Sequence, residues 1–141
     1  MKKLTVVIAI VLFSVLKSYA QSPDKLGITK TIHAFAKAGD TNDVTELAKY
    51  LDDNYRIVSN RLFGSTEVSV MPKHIYLEKI KSKEYGGDNR TVTIEEIALN
   101  GNTASAKVVF KGTKLMFTSL IILIKNEEGI WKLVSETPMV G

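Results

Sequence analysis

Hydrophobic and polar positions alternate through much of the second half of the chain, and this period of two predicts β-strands. Four such segments follow one another, at residues 91–98, 103–110, 115–125 and 130–136. The strongest turn signal between them is Asn100-Gly101, because Asn-Gly favours the two-residue turns that join antiparallel strands. The pattern therefore predicts a four-stranded antiparallel meander at the centre of the fold.

Upstream of the meander, apolar residues recur every three or four positions and predict three helices. The first begins after Ser22 and ends at Gly39, the second follows Asp40, and the third begins at Pro72. Their apolar faces are Leu26, Ile32, Phe35 and Ala36 in the first, Val44, Leu47, Ala48 and Leu51 in the second, and Ile75, Tyr76 and Ile80 in the third. Residues 55–59 and 66–70 predict an irregular hairpin between the second and third helices.

This order of elements predicts a single α+β domain. We expect a cone-shaped, curved antiparallel sheet of about six strands. The three helices come from the N-terminal half of the chain and pack on the concave face of that sheet.

The predicted strand at residues 115–125 is apolar on both faces, whereas a strand buried on one side only would alternate with polar residues. One face carries Leu115, Phe117, Ile121 and Leu123, and the other carries Met116, Leu120, Ile122 and Ile124. We therefore expect a second subunit to cover the outer face of the sheet, which predicts a homodimer. The alternative is a sheet so strongly curved that this face is buried within the domain itself.

The first twenty residues have the features of a secretory signal peptide. Met1-Lys2-Lys3 is basic, residues 4–16 are almost entirely apolar, and Ser18-Tyr19-Ala20 places small residues where signal peptidase cleaves. The apolar run is shorter than the roughly 20 residues that a membrane span needs, which argues against a stable membrane anchor. We predict a signal peptide at residues 1–20, a mature domain at residues 21–141, and export to the periplasm or beyond.

Charge and cysteine content exclude several classes of function. The chain has 19 basic and 15 acidic residues; three of the basic ones (Lys2, Lys3 and Lys17) leave with the signal peptide, so the net charge falls from +4 to +1. A nearly neutral domain without a basic face does not predict nucleic-acid binding. The absence of cysteine excludes disulfides, thiol catalysis and thiolate metal sites.

Several stretches of the sequence resemble the nuclear-transport-factor-2-like superfamily. In the helical half these are Ile32-x-x-Phe35 and the segment Leu47-Ala-Lys-Tyr-Leu51; in the sheet they are residues 97–107, residues 117–125 and Gly129-Ile-Trp-Lys-Leu-Val134. Within the superfamily the chain is similar to exported bacterial proteins described as putative lumazine-binding, close to the polyketide-cyclase-like (SnoaL-like) branch. The resemblance extends over the whole mature domain.

This resemblance implies a cone-shaped domain whose helices and sheet enclose an apolar pocket, and whose outer sheet face often forms a dimer. It implies no single activity, because the superfamily includes isomerases, dehydratases, cyclases, binding modules and assembly factors. Relatives carry an acidic or tyrosyl side chain after the Phe-Thr pair of the third long strand. Here Ser119-Leu120 follows Phe117-Thr118, which argues against an acid–base role at that place.

Few carboxylates are placed where they could act as acids or bases. The aspartates fall in predicted helix starts, turns and strand entries, where Asp caps backbone N–H groups. Glu95 and Glu96 are adjacent in one strand, so one of them points inward or lies in a bulge, and the pattern does not distinguish them. Glu136 is expected at the end of the last strand. We interpret all of these as structural and assign no catalytic residue.

The candidates for lining a ligand pocket are polar residues beside the predicted apolar faces and aromatic residues on the predicted strands. They are His33, Tyr55, Arg56, His74, Phe110, Phe117 and Trp131. The histidines could act at a cavity mouth, or could be helix-flank residues bonded to water or backbone. Arg56, with Arg61, could bind an anion, or could be exposed charge on a hairpin.

The aromatic candidates could form pocket walls, but the same alternation also predicts them as ordinary core. The two histidines lack the spacing and the carboxylate partner of a metal site, and the sequence contains no phosphate-binding loop or nucleophile elbow. We therefore predict neither a metal nor a cofactor.

These observations favour an exported domain that binds a small apolar or heteroaromatic molecule, or a protein partner, without catalysis. One alternative is a cavity enzyme of the isomerase, dehydratase or cyclase type that uses His33 or Glu96 as its base. Such an enzyme would need a buried titratable group with a partner within hydrogen-bond reach. The other alternative is a structural module that dimerises and has no ligand cavity.

Overall fold

The computed structural model describes residues 21–141, which form three α-helices and one six-stranded sheet. The predicted signal peptide at residues 1–20 lies outside the described residues. The helices are α1 (Pro23–Asp40), α2 (Val44–Lys49) and α3 (Lys73–Lys81). The strands are β1 (Leu51–Asn60), β2 (Val68–Pro72), β3 (Thr91–Asn100), β4 (Thr103–Lys111), β5 (Met116–Lys125) and β6 (Trp131–Val140). The predicted α+β class is confirmed.

Side-chain caps begin the first two helices near the predicted positions. The Ser22 hydroxyl accepts a hydrogen bond from the Lys25 backbone N–H, and the Asp43 carboxylate accepts one from the Glu46 backbone N–H. Such caps satisfy backbone donors that have no partner within the helix. The first hairpin differs from the prediction, because β1 already begins at Leu51. Two aspartates, at positions 52 and 53, therefore lie inside a strand.

The strands are ordered β2-β1-β6-β5-β4-β3 in the sheet. The predicted antiparallel meander from β3 to β6 is confirmed, and β2 is antiparallel to β1. β1 and β6 run parallel, so the sheet is mixed rather than purely antiparallel. Alternation along a strand predicts which side chains share a face, but it carries no information about which strand lies beside it. The pairing of β1 with β6 joins strands from opposite ends of the domain and could not be predicted in this way.

The helices pack against one face of the sheet, here called the inner face. Its fully buried members include Ile28, Ile32 and Phe35 of α1, Leu47 of α2, Ile80 of α3, and Val108, Phe110, Ile121, Leu123 and Leu133 of the strands. Burial of each large apolar side chain contributes about 1.5–3 kcal/mol. This core stabilises the domain without disulfides.

The opposite, outer face of the sheet exposes apolar side chains. Leu120 at its centre is 49% exposed and Met139 on the neighbouring strand is 45% exposed. Ile121 and Leu123 of the same strand as Leu120 are buried on the inner face. The prediction that β5 is apolar on both faces is therefore confirmed. The helices leave the outer face uncovered within the described part of the chain.

Two β-bulges interrupt the alternation of the sheet. On β6, Ser135 pairs with Ile122 and Leu133 pairs with Leu123, so Val134 is an extra residue. On β3, Ile94 pairs with Val108 and Glu96 pairs with Lys107, so Glu95 is an extra residue. Each bulge reverses which side chains of its strand point to the inner face.

Arg90 joins the end of α1 to the start of β3. Its backbone N–H and guanidinium both donate to the Asp40 carboxylate, and its guanidinium also donates to the Ala36 carbonyl oxygen at 2.9 Å. The same guanidinium lies 5.1 Å from the centre of the Phe110 ring. This half-buried ion pair therefore fixes α1 on the inner face.

Of the helices in residues 21–141, none is both long and apolar enough to cross a membrane.

Candidate functional site

A carboxylate lies inside the domain with two hydroxyl partners. Glu136 on β6 is only 9% exposed. Its Oε1 accepts a hydrogen bond of 2.7 Å from the Ser119 hydroxyl, and its Oε2 accepts one of 3.0 Å from the Tyr55 hydroxyl. Since an unpaired buried carboxylate is costly, these two donors make its burial possible. We call Glu136, Ser119 and Tyr55 the interior polar cluster.

The bulge at Val134 directs Glu136 toward the core. Trp131 and Leu133 point inward ahead of the bulge, and uninterrupted alternation would therefore turn Glu136 to the outer face. The extra residue reverses this order, so Glu136 lies opposite the fully buried Ile121 of β5. Bulges that redirect one side chain are common beside functional sites.

Two buried tyrosines flank the carboxylate. The rings of Tyr55 and Tyr76 lie 5.6 Å apart and are tilted by 47°. Burial, followed by the proximity of Glu136, raises the pKa of Tyr55 well above its ordinary value of 10.0. The same two causes, in the same order, raise the pKa of Tyr76. Both phenols therefore stay protonated at neutral pH and can act only as hydrogen-bond donors or as neutral acceptors.

A row of phenylalanines runs from the core past this cluster to the surface. Phe35 meets Phe110 edge-on at 6.2 Å, and Phe110 pairs with Phe117 across β4 and β5. Phe117 in turn meets the exposed Phe63 at 6.3 Å. Ser119 is two residues from Phe117 and therefore on the same face of β5. The interior polar cluster thus adjoins an aromatic surface.

A second feature is a groove between α1 and the edge strand β3, formed by two clefts that meet at His33. One cleft, of about 610 Å³, is lined by residues that include Lys37, Asn89 and Arg90. The other, of about 340 Å³, is lined by residues that include Lys25 and Glu96. Both are open to solvent. Glu136 lines neither of them, so a ligand in this groove would not touch the interior polar cluster.

The structure distributes the seven predicted pocket residues over several places. Tyr55 belongs to the interior polar cluster, and Phe110 and Phe117 belong to the adjoining aromatic row. Trp131 is buried near the start of α1, where its indole N–H donates to Asp24 at 3.1 Å. His33 is exposed and lies in the surface groove.

The remaining two predicted residues are exposed and lie apart from the cluster. Arg56 has a contact of 3.4 Å to the Asn54 carbonyl oxygen, and Arg61, its predicted companion, donates to the Thr66 carbonyl oxygen. His74 is exposed near the start of α3. The contacts of Arg56 and Arg61 match the alternative that they are exposed charges on a hairpin.

Sequence reasoning missed two of the three residues in the interior polar cluster. Glu136 lies well within β6, not at the end of the last strand as expected, because β6 continues to Val140. In the sequence, Ser119 is notable only because it follows Phe117-Thr118, where relatives carry an acidic or tyrosyl side chain. In the structure it faces a carboxylate that the neighbouring strand provides. The sequence signal for this arrangement would have been a Glu in the interior of a predicted strand rather than at the end of one.

The choice between Glu95 and Glu96 is settled by the second bulge. Glu95 is the bulged residue and forms an ion pair of 3.0 Å with Lys107, and both glutamates are exposed. Neither points into the core.

No group of three or more potential metal ligands of the His, Cys, Asp or Glu type occurs within residues 21–141.

Comparisons with known proteins agree with this architecture. Residues 23–137 match a protein-family model described as "Putative lumazine-binding". A search of the curated proteins found no match.

Several solved structures share the fold. An NTF2-like protein of unknown function from Shewanella baltica has a TM-score of 0.73 at 19% identity, covering 89% of this chain and 98% of its own. An NTF-2-like protein of unknown function from Silicibacter pomeroyi has a TM-score of 0.71 at 15% identity, with coverage of 82% and 94%. A ketosteroid isomerase-like protein from Erwinia carotovora atroseptica has a TM-score of 0.68 at 15% identity, with coverage of 85% and 98%. At these identities the likeness extends to the fold alone.

Proposed function

The chain belongs to the putative lumazine-binding family. On that premise we propose that it binds a small molecule in its interior without catalysis. The supporting observation is the interior polar cluster. A carboxylate at this depth is a costly feature for a core that only has to fold, because an apolar residue of similar volume often serves stability as well or better. Function is the simplest reason for its presence.

The chemistry of the cluster indicates the class of ligand. Each carboxylate oxygen of Glu136 accepts one hydroxyl donor and retains capacity for another. The ligand therefore carries an N–H or O–H donor. The rings of Tyr76, Phe110 and Phe117 favour a flat aromatic or heteroaromatic body, since aromatic pairs stabilise each other edge-on or offset-stacked.

Native mass spectrometry of the protein purified from its own host, followed by organic extraction, tests this proposal. We expect one small-molecule adduct per chain that survives gentle ionisation. Glu136→Gln should lose the adduct because the amide replaces one acceptor oxygen with a donor group. The matched control is Glu127→Gln, which makes the same change at an exposed position and should keep the adduct.

A bare chain mass in the wild type would overturn the binding proposal. If that bare species is a dimer, it supports the structural module instead. Circular dichroism of Glu136→Gln shows whether any loss of adduct results from misfolding.

A second candidate function is catalysis by Glu136 as a general base. The observation that favours it is a buried carboxylate within hydrogen-bond reach of partners, which is what an acid–base enzyme needs. Incubating the extracted compound with the protein in D2O tests it by NMR. Catalysis predicts deuterium incorporation that Glu136→Gln abolishes and His33→Ala retains. Non-catalytic binding predicts no incorporation.

Export is a further part of the proposal. It is supported by the basic, apolar and small-residue regions of residues 1–20. We expect the intact mass of the native protein to begin at Gln21. Ala20→Phe should block cleavage because signal peptidase requires a small residue there. A full-length mass in the wild type would contradict export by this route.

We also propose that the protein is a homodimer through the outer face of the sheet. Large apolar side chains exposed on that face support it, and they include Val70, Leu120 and Met139. Two copies can cover each other with the same surface in a two-fold arrangement.

A further inference from the structure

The interior polar cluster has no open route to solvent through either cleft of the surface groove. Ser119 and Tyr55 are at most 1% exposed. A ligand therefore needs a path to Glu136 other than this groove, and movement of an element that covers the cluster would open one. Residues 61–67, which connect β1 to β2, have the properties of such an element, and we call them the entrance segment.

The entrance segment makes its hydrogen bonds within itself. Arg61 donates its backbone N–H to the Glu67 carbonyl oxygen at 3.2 Å and its side-chain Nε–H to the Thr66 carbonyl oxygen at 3.3 Å. Ser65 donates its backbone N–H to the Leu62 carbonyl oxygen at 3.0 Å. These bonds survive a movement of the segment as one unit. Segments with few buried contacts and exposed backbone open more readily than the core.

Two residues of this segment have a backbone conformation that their side chains disfavour. Arg61 has a φ of 53° and Phe63 a φ of 52°. For a bulky residue such as Phe, a positive φ is a genuine outlier, and such conformations cluster at ligand clamps and switch regions. The segment therefore carries a local conformational cost, which persists only where the surrounding structure holds it.

An aromatic contact joins the entrance segment to the inner face. Phe63 is 73% exposed, yet its ring meets Phe117 edge-on at 6.3 Å with an interplanar angle of 83°. Phe117 and Ser119 are neighbours on the same face of β5. Withdrawal of Phe63 consequently uncovers the end of the aromatic row that leads to the interior polar cluster.

We propose that the entrance segment is the gate of the interior site, with Phe63 as the side chain that closes it against Phe117. The purpose of this gate rests on the proposed function. Its existence does not, because opening can be measured without any ligand. A flat aromatic ligand would replace the ring of Phe63 on Phe117, which lets the ligand open its own path.

The absence of cysteine from the sequence allows a direct test. Ser119→Cys places a single thiol at the interior polar cluster, and the rate of its reaction with dithionitrobenzoate reports access. Phe63→Ala in this background should speed labelling about two- to tenfold, which corresponds to the loss of one aromatic pair. Phe63→Tyr keeps the ring and should retain the slow rate.

Two controls separate gating from general loosening. Ile130→Ala removes another exposed apolar side chain, from the turn between β5 and β6, and should leave the labelling rate unchanged. Ile28→Cys places the thiol at a fully buried position of α1, away from β5, where labelling requires wider unfolding. Phe63→Ala should leave its rate unchanged.

The proposal is overturned if Phe63→Ala leaves the labelling rate of the Ser119→Cys thiol unchanged, or if it speeds both thiols equally. If Ser119→Cys does not fold, hydrogen exchange of the cysteine-free protein replaces it. Phe63→Ala should then speed exchange in residues 117–121 but not in residues 28–35 of α1. A missing adduct in mass spectrometry would overturn the binding proposal while leaving these rates as they are.

Discussion

Tyr55 donates a hydrogen bond of 3.0 Å to Glu136 although 81 positions separate the two residues in the chain. Three features of the fold bring them together. β1 and β6 lie side by side as a parallel pair, the bulge at Val134 turns the carboxylate inward, and Ser119 of β5 provides the second donor. The contact therefore joins both ends of the domain around one buried charge-bearing group.

Tyr55→Phe should lower the free energy of unfolding by about 1.5–3 kcal/mol, the range for hydrogen bonds to charged groups. The ring stays, so the loss comes from the missing donor and not from a cavity. Urea unfolding measures it. Tyr85→Phe removes the hydroxyl of a partly exposed tyrosine and should change stability by less than about 0.5 kcal/mol. Equal losses in the two variants would show that Glu136 does not depend on Tyr55.

Acid should weaken the attachment of α1 to the sheet at Asp24. The Lys125 side chain, and then the Trp131 indole, hold the pKa of Asp24 below its ordinary value of 3.8. A lowered folded-state pKa contributes stability that is present above the unfolded value and is lost as the pH falls through the folded value. We therefore expect the loss below about pH 4.

Fluorescence of Trp131 follows this loss, since it is the single tryptophan of the chain. Asp24→Asn should be less stable than the wild type at pH 6 and should show a shallower decline in acid. Glu127→Gln, at an exposed position, serves as the control and should follow the wild-type profile. Parallel profiles for the wild type and Asp24→Asn would contradict the role of this carboxylate.

Alkali should unfold the domain as its buried tyrosines ionise. Burial is the main cause that raises the folded-state pKa of Tyr55 and Tyr76 above their ordinary value of 10.0. A raised folded-state pKa contributes stability that is complete below the unfolded value and is lost as the pH rises beyond it. We expect stability to fall above about pH 10.

Absorbance at 295 nm and far-ultraviolet circular dichroism check this together. The phenolate absorbance of the buried tyrosines should develop only at the pH where the dichroism is lost. Tyr55→Phe should reduce this late part of the absorbance change. Ionisation of all tyrosines with the dichroism intact would contradict the prediction.

Gly86→Ala should destabilise the protein by about 2–5 kcal/mol. Gly86 has a φ of +76°, and a Cβ there would clash with the Gly39 carbonyl oxygen. Gly101→Ala is the matched control: its φ is +58° and nothing lies within 4 Å of the added atom. It should cost about 1–2 kcal/mol, the strain of the left-handed backbone alone. Thermal or urea unfolding separates the two, and equal costs would mean that the contact with Gly39 relaxes freely.

Leu120→Glu should dissociate the proposed homodimer, because it places a charge at the centre of the outer face, where a partner would exclude water. Sedimentation velocity measures the change. Ile130→Glu is the control, since Ile130 is 47% exposed but lies in the turn between β5 and β6. It should leave the dimer intact. A monomeric wild type, or dimers in both variants, would contradict the proposed interface.

Most helices and strands could be predicted from the sequence, because periodicity and turn chemistry are local. The period of two around Asn100-Gly101 predicted the meander, and capping residues such as Ser22 located the helix starts. Both faces of β5 could be read directly from its apolar residues. The family resemblance followed from the same fold-keeping positions.

The position of the interior polar cluster could not be predicted in this way, because it depends on contacts between distant segments. The parallel pairing of β1 with β6 joins distant segments, and alternation along a strand says nothing about its neighbour. The single extra residue at Val134 reverses which side chains of β6 face inward. A pattern of period two predicts Glu136 on the outer face, whereas the bulge places it beside Ser119 and Tyr55. Bulges and long-range pairings depend on the packing of the whole domain, and the interior polar cluster depends on both.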